Sequence, residues 1–132
     1  MQLRFWAQTD VGRRRDHNED SFLVDRRLQL FICCDGMGGH AAGEVASSAA
    51  VHEVRQFLTQ HQATLRRFGD DHAMVDRKDV LKLLEQAVHH ACARVHNLAQ
   101  VDARRRGMGT TLVALLICGE RGFIAHVGDS RV

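Results

Sequence analysis

The chain has 132 residues, which fits one domain, and its 45% apolar and 26% charged residues are ordinary for a globular protein. The net charge of +2 is too small to indicate nucleic acid or a membrane surface as a partner. No apolar stretch approaches the roughly 18 residues that would cross a bilayer. We therefore expect one cytoplasmic domain over residues 1–132, with no nucleic-acid or membrane partner.

The first part of the chain predicts three strands and then a glycine-rich loop. Aromatic β-formers indicate a short strand over 4–8, and a second apolar group indicates a strand over 21–25. The nearly continuous apolar run 28–34 is typical of a strand buried on both faces. Four glycines in the segment 35–43 predict a tight loop.

The rest of the chain predicts two helices and a hairpin. Apolar residues recur at helical spacing over 44–60 and again over 79–106, with an irregular polar connection at 61–77. Strands at 110–118 and 123–127 flank a turn. The order of strands, helices and strands favours an α+β fold over alternating βαβ units. We expect the last strand to have an unpaired edge.

The cysteines are expected to be reduced. The four form no C-x-x-C pair, so neither a zinc site nor a disulfide framework is indicated. Cys33, Cys34 and Cys118 lie in apolar runs, where a free thiol behaves as a small hydrophobic residue. We expect these three side chains to be buried.

The glycine-rich loop allows two interpretations. Its segment 36–41 matches the dinucleotide fingerprint G-x-G-x-x-G/A, although the acidic residue about 20 positions on and the βαβ order are missing. Alternatively, Asp35 ends a buried strand before glycines, which is a usual way to present a carboxylate to Mg²⁺ or Mn²⁺. Glu19, Asp20 and Asp129 could add carboxylates, or they could be separate solvated turn residues.

Four motifs in order resemble one known family. They are Thr9-Asp10-Val11-Gly12 with Arg15-x-x-Asn18-Glu19-Asp20-Ser21, Asp35-Gly36-Met37-Gly38-Gly39 with His40-Ala41-Ala42-Gly43-Glu44, Gly109-Thr110-Thr111, and Gly128-Asp129-Ser130-Arg131. Together they resemble the N-terminal half of PPM-family (type 2C) metal-dependent protein serine/threonine phosphatases, in particular the bacterial branch. The resemblance implies part of a four-layer α-β-β-α sandwich, in which antiparallel sheets are flanked by helices.

The resemblance also implies a metal site. Asp35 would bridge two Mn²⁺ or Mg²⁺ ions, and the Gly36 carbonyl would bind one of them. Glu19 and Asp20 would act near the ions, through bound water. Asp129 matches a position that helps to hold a third, weaker ion in bacterial members.

The implied reaction is the hydrolysis of phosphoserine and phosphothreonine on protein substrates. Arg15 would hold the phosphate, since a guanidinium fork suits phosphate geometry. Metal-activated water would attack phosphorus with no covalent phosphoenzyme. Met37 stands where many relatives carry a histidine thought to be the general acid, which leaves His40 as a nearby candidate for the proton donor or for a role in the loop.

The 132 residues match about half of the family's catalytic domain, whose later half supplies two more aspartate ligands. We therefore expect little phosphatase activity and marginal stability from this chain alone. One alternative is a non-catalytic remnant that binds a partner through its open sheet edge. The other is a nucleotide-binding module that uses the 36–41 loop.

Overall fold

A computed structural model describes residues 2–39, 41–70 and 75–132 of the chain. In chain order, the elements in these ranges are β1 (Asp20–Asp25), β2 (Leu30–Met37), α1 (Ala42–Gln60), α2 (Gln62–Asp70), α3 (Arg77–Val101), a 3₁₀ helix (Ala103–Arg105), β3 (Gly109–Thr110), β4 (Leu112–Cys118) and β5 (Arg121–Val127). Within the same ranges, no helix is long and apolar enough to cross a membrane.

The strands form one sheet in the order β1-β2-β4-β5, and the short β3 pairs with the end of β2. Every described pair is antiparallel. The predicted α+β class is therefore confirmed. The β4–β5 hairpin turns at residues 119–120, so β5 begins two residues earlier than predicted. β5 lies at an edge of the described sheet, as predicted.

One face of the sheet carries the core. Leu30 and Ile32 of β2 are almost fully buried, and they pack in one cluster with apolar residues of α1 and α3. Side chains of a strand alternate between faces, so Cys33 lies on the opposite face and is exposed. The predictions that this strand is buried on both faces and that Cys33 is buried were wrong. Cys34 and Cys118 are buried, as predicted.

The predicted first strand at 4–8 is absent, because this segment is irregular in the structure. Its aromatic residue Phe5 contacts Phe31 edge to face, with ring centroids 5.1 Å apart. The guanidinium of Arg26 lies 5.3 Å from the centre of the Phe5 ring. Phe5 therefore packs through its side chain, whereas Trp6 is exposed, and the backbone of this segment pairs with none of the described strands.

The predicted irregular connection at 61–77 contains a helix instead. α2 buries Leu65 and Phe68, and the Phe68 ring meets Phe123 of β5 edge to face at 5.4 Å. Two buried residues three positions apart give only a weak periodic signal in a polar segment. Residues 71–74 lie outside the described ranges.

The second long helix was predicted with the wrong ends. Asp76 is the N-cap of α3, and Asp79 completes a capping box with it three residues later. The helix ends at Val101, and Asp102 then begins the 3₁₀ helix. The first predicted helix begins slightly earlier than expected, at Ala42, and ends at Gln60.

The remaining differences lie beside the acidic residues. β2 continues to Met37, three residues into the segment that was predicted as a loop from Asp35 onward. The predicted strand 110–118 is divided into β3 and β4 around Thr111. These changes extend regular hydrogen bonding to the residues that flank Asp35.

Candidate active site

Asp20 and Asp35 lie directly opposite each other at one end of the sheet. Asp20 begins β1 and Asp35 lies near the end of β2, and the antiparallel register pairs them. The neighbouring Ser21 contacts Ser47 of α1, so Asp20 points to the other face of the sheet. Two carboxylates that are 15 positions apart in sequence therefore share one small region of surface.

The electrostatics of Asp20 involve three of the other predicted site residues. Partial removal from water raises the pKa of Asp20, and the charge of Asp35 and a hydrogen bond with its carboxyl raise it further. The guanidinium of Arg15 lowers this pKa in part, whereas Glu19 adds a small increase. Arg15, Glu19 and Asp35 therefore all lie within electrostatic reach of Asp20.

Thr110 and Thr111 hold the backbone of Asp35. The Thr111 amide donates to the Asp35 carbonyl at 2.8 Å, and the Asp35 amide donates to the Thr111 hydroxyl at 3.0 Å. The Thr110 hydroxyl donates to the same carbonyl at 3.0 Å. These contacts fix the backbone from which the Asp35 carboxylate projects.

Two glycines, Gly36 and Gly43, contact Glu19 and leave room for its side chain. The amide of Gly36 donates to the Glu19 carbonyl at 3.1 Å, and the Ser47 hydroxyl donates to the same oxygen at 2.7 Å. A Cβ on Gly36 would overlap the Gly43 carbonyl, and one on Gly43 would lie 2.5 Å from Oε1 of Glu19. The Glu19 carboxylate therefore lies against the first turn of α1, in space that exists because both positions are glycine.

Asp129 follows β5 at the same end of the sheet and is exposed. The next residue, Ser130, shares a hydrogen bond of 2.9 Å with the hydroxyl of Thr111. Gly128 also packs on Thr111, where an added Cβ would lie 2.9 Å from Cγ2. Thr111 therefore contacts both the Asp35 segment and the Asp129 segment.

A cleft of about 220 Å³ is lined by Asp20, Asp35 and Ser130 together with residues of the N-terminal segment. Carboxylate oxygens are the ligands that Mg²⁺ and Mn²⁺ prefer, so the pair of aspartates fits such an ion. In the described part of the chain, however, no three His, Cys, Asp or Glu side chains converge closely enough to hold a metal together.

The other predicted site residues have less defined surroundings. Arg15 is exposed in the loop before β1, and Met37 is 55% exposed. His40, the candidate proton donor, lies outside the described residues.

Two supporting residues were missed by the sequence analysis. Ser47 is fully buried, shares a hydrogen bond with Ser21 and donates one to the Glu19 carbonyl. Ser130 bonds to Thr111 but was noted only as part of a turn motif. A single polar residue at the spacing of the buried positions of α1 was the available signal for Ser47.

Comparison with known proteins identifies the family. A family model described as protein phosphatase 2C matches residues 9–132, so the chain belongs to this family. The resemblance to its bacterial members is confirmed by the relatives below.

The serine/threonine protein phosphatase PstP of Mycobacterium tuberculosis is 38% identical over 129 residues, which are 98% of this chain and 22% of that protein. Serine/threonine phosphatase stp of Listeria innocua is 33% identical and is matched over 46% of its length by 94% of this chain. A crystal structure of a PstP catalytic domain in complex with two manganese ions is 37% identical, with a TM-score of 0.69 over 94% of this chain and 47% of that one. The chain thus spans about half the length, or less, of the relatives it matches.

Proposed function

We propose that this chain is part of a protein phosphatase that hydrolyses phosphoserine and phosphothreonine on protein substrates. The convergence of Asp20 and Asp35 beside Arg15 and Glu19 carries the proposal. The names of PstP and stp support the reaction class. The two manganese ions bound by the PstP catalytic domain support a divalent cofactor, Mn²⁺ or Mg²⁺.

Within this proposal, Asp35 and the Gly36 carbonyl would hold the ions, Glu19 and Asp20 would bind them through water, and Asp129 would help to hold a third, weaker ion. When bound, such ions supply Lewis-acid activation of water and offset negative charge. Oxygen ligands on a rigid backbone suit this role, since the Asp35 backbone makes three hydrogen bonds with Thr110 and Thr111.

The chain's own side chains bind and orient the phosphate ester. Arg15 is exposed and lies within electrostatic reach of Asp20, and its guanidinium would donate two parallel hydrogen bonds to phosphate oxygens. Asp20 and Glu19 would accept hydrogen bonds from water bound near the ions. The thioether of Met37 has no proton to donate, so the leaving oxygen takes its proton from another group.

We also propose that the 132 residues alone release phosphate slowly. Only two of the predicted carboxylate ligands share a hydrogen bond, and the described residues contain no cluster of three ligands. Few ligands give weak metal binding, which limits the fraction of molecules that can react.

Titration calorimetry with Mn²⁺ tests the proposed site. We expect weak binding to the unmodified chain and none to Asp35→Asn. The matched control, Glu85→Gln, changes an exposed carboxylate on α3 and should bind as the unmodified chain does. Equal Mn²⁺ binding by Asp35→Asn would overturn the assignment. Rapid manganese-dependent hydrolysis of a phosphoserine peptide by the unmodified chain would overturn the proposal of low activity.

Association through the sheet edge is a second candidate function. β5 is an edge strand, and its residue Ile124 is 51% exposed. Light scattering over a concentration range tests this candidate, which requires a concentration-dependent rise in mass. The nucleotide-binding alternative is disfavoured, because the described sheet is antiparallel and provides no βαβ unit behind the glycine loop.

A further inference from the structure

A second cleft, of about 610 Å³, lies beside the glycine loop. It is lined by the first turn of α1 and by the 3₁₀ helix, through Ala41, Ala42, Val45, Asp102, Arg104 and Arg105. The phosphatase site described above uses none of these residues. The charge of these side chains indicates which ligand chemistry suits the cleft.

The cleft carries a positive charge with its guanidinium groups held in place. Nε and Nη2 of Arg104 both donate to the Asp102 carboxylate at 3.2 Å, and Nε of Arg105 lies 3.5 Å from the same group. Hydrogen bonds from Arg104 hold the pKa of Asp102 below its ordinary value, so this carboxylate is ionised at neutral pH. Two cations around one anion leave a net charge of +1, and each guanidinium keeps further N–H donors for an external anion.

The chain connects this cleft directly to Asp35. The amide of Met108 donates to the Arg105 carbonyl at 3.1 Å, and Met108 packs against Gly38 in the glycine loop. Two residues further on, the Thr110 hydroxyl donates to the Asp35 carbonyl. Since a chain spans at most about 3.5 Å per residue, Arg105 lies within about 18 Å of Thr110. An extended peptide crosses that distance in about five residues.

We propose that Arg104 and Arg105 bind acidic side chains that flank the phosphorylated residue of the phosphoprotein substrate. This inference rests on the proposed phosphatase function and adds a sequence preference to it. Carboxylates match the guanidinium fork in shape and charge. Nucleic acid is a poorer match, because the cleft carries a charge of only about +1 and none of its described lining residues is aromatic, so none offers a ring on which a base could stack.

Fluorescence anisotropy with three labelled peptides tests the inference. The first has phosphoserine flanked by glutamates, the second has the same phosphoserine flanked by glutamines, and the third has glutamates around an unmodified serine. Each is titrated with the unmodified chain and with the double variant Arg104→Gln/Arg105→Gln. The control variant is Arg94→Gln, which changes an exposed arginine on α3, away from the 3₁₀ helix. Circular dichroism of each variant checks that the fold is retained.

We expect the unmodified chain and Arg94→Gln to favour the glutamate peptides over the glutamine peptide. The double variant should lose about threefold to tenfold in affinity for the glutamate peptides, as expected for two exposed ion pairs, and none for the glutamine peptide. Equal binding of acidic and neutral peptides by the unmodified chain, or an equal loss in Arg94→Gln, would overturn the inference. Single-stranded RNA that displaces the peptide at equal charge concentration would also overturn it.

The same titrations separate this inference from the proposed function. With Mn²⁺ present, the phosphate itself should strengthen binding, and Asp35→Asn should remove that gain. If the phosphate group does not strengthen peptide binding in any variant, the phosphatase assignment fails. The affinity that the double variant loses for the glutamate peptides tests the inference about the two arginines separately.

Discussion

Thr111 and Asp35 are joined by two hydrogen bonds. The Thr111 amide donates to the Asp35 carbonyl at 2.8 Å, and the Asp35 amide donates to the Thr111 hydroxyl at 3.0 Å. The two residues are 76 positions apart in sequence. The Thr111 hydroxyl also shares a hydrogen bond with Ser130. A buried, uncharged side chain thus links strand β2, which carries Asp35, to the turn that carries Asp129.

Replacing Thr111 with valine should loosen this link while keeping the side-chain shape. The Asp35 amide would lose its partner, and a buried donor without a partner costs about 1–3 kcal/mol. We expect the free energy of unfolding to fall by that amount in urea denaturation. We also expect weaker Mn²⁺ binding, since the Asp35 backbone becomes less fixed.

Thr59→Val is the matched control for this change. Thr59 is an exposed helical residue whose hydroxyl bonds only to the Arg55 carbonyl, within the same helix. Its replacement should change stability by less than about 0.5 kcal/mol. Equal losses in the two variants would show that the link through Thr111 has no special role.

Gly36 and Gly109 are close in space but should respond very differently to alanine. A Cβ on Gly36 would overlap the backbone of Gly43 and of Glu19, which cannot move without shifting α1 or β1. Such overpacking costs about 1–3 kcal/mol or more. A Cβ on Gly109 would meet only the Met37 side chain, at 3.6 Å, which is an ordinary contact. We expect thermal denaturation to show a clear loss for Gly36→Ala and little change for Gly109→Ala.

The two glycines also show what could be predicted from sequence. The glycine-rich segment was recognised as special, and the motifs identified Glu19, Asp20 and Asp35 as one group. What could not be predicted was the reason for glycine, because the contact between Gly36 and Gly43 appears only once α1 folds back on β2. Long-range hydrogen bonds such as that between Thr111 and Asp35 leave no periodic signal in a single sequence.

The secondary structure shows the same contrast between features that could be predicted from sequence and features that could not. The strand β2, the helix α1 and the β4–β5 hairpin were predicted because their apolar residues repeat strongly. The helix α2 was missed because only Leu65 and Phe68 hold it to the core. The segment 4–8 was assigned as a strand because β-forming residues do not reveal whether a neighbouring strand is available to pair with them.

The four cysteines should divide into two reactive and two protected thiols. Cys33 and Cys92 are exposed. Burial raises the pKa of Cys34 to about 12 and that of Cys118 to about 11, so both thiols stay protonated near neutral pH. With a chromogenic disulfide reagent at pH 8, we expect two thiols to react in the native state and four in denaturant. Cys33→Ser should reduce the native count by one, and simultaneous reaction of all four would contradict this division.

Asp25 should make the free energy of unfolding depend on pH in the acidic range. Burial alone would raise its pKa, but hydrogen bonds from Arg55 at 2.8 Å and from the amides of Leu28 and Arg27 outweigh burial and lower it. A carboxyl whose pKa is lower in the folded state stabilises the protein above its unfolded pKa, near 3.8. The stabilisation by Asp25 is lost as the pH falls from the unfolded pKa, near 3.8, through the lower pKa of the folded state.

Asp25→Asn therefore tests the sign of this effect. At pH 7 we expect the variant to lose about 1–3 kcal/mol, because a charged acceptor of three hydrogen bonds is replaced by a neutral one. The difference from the unmodified protein should narrow below about pH 4, where Asp25 of the unfolded chain becomes protonated before Asp25 of the folded protein does. Arg55→Gln keeps both backbone donors, so it should show a smaller loss with the same direction of pH dependence. Urea denaturation from pH 7 to pH 3 measures both, and a difference that stays constant over this range would mean that Asp25 does not carry the acid sensitivity.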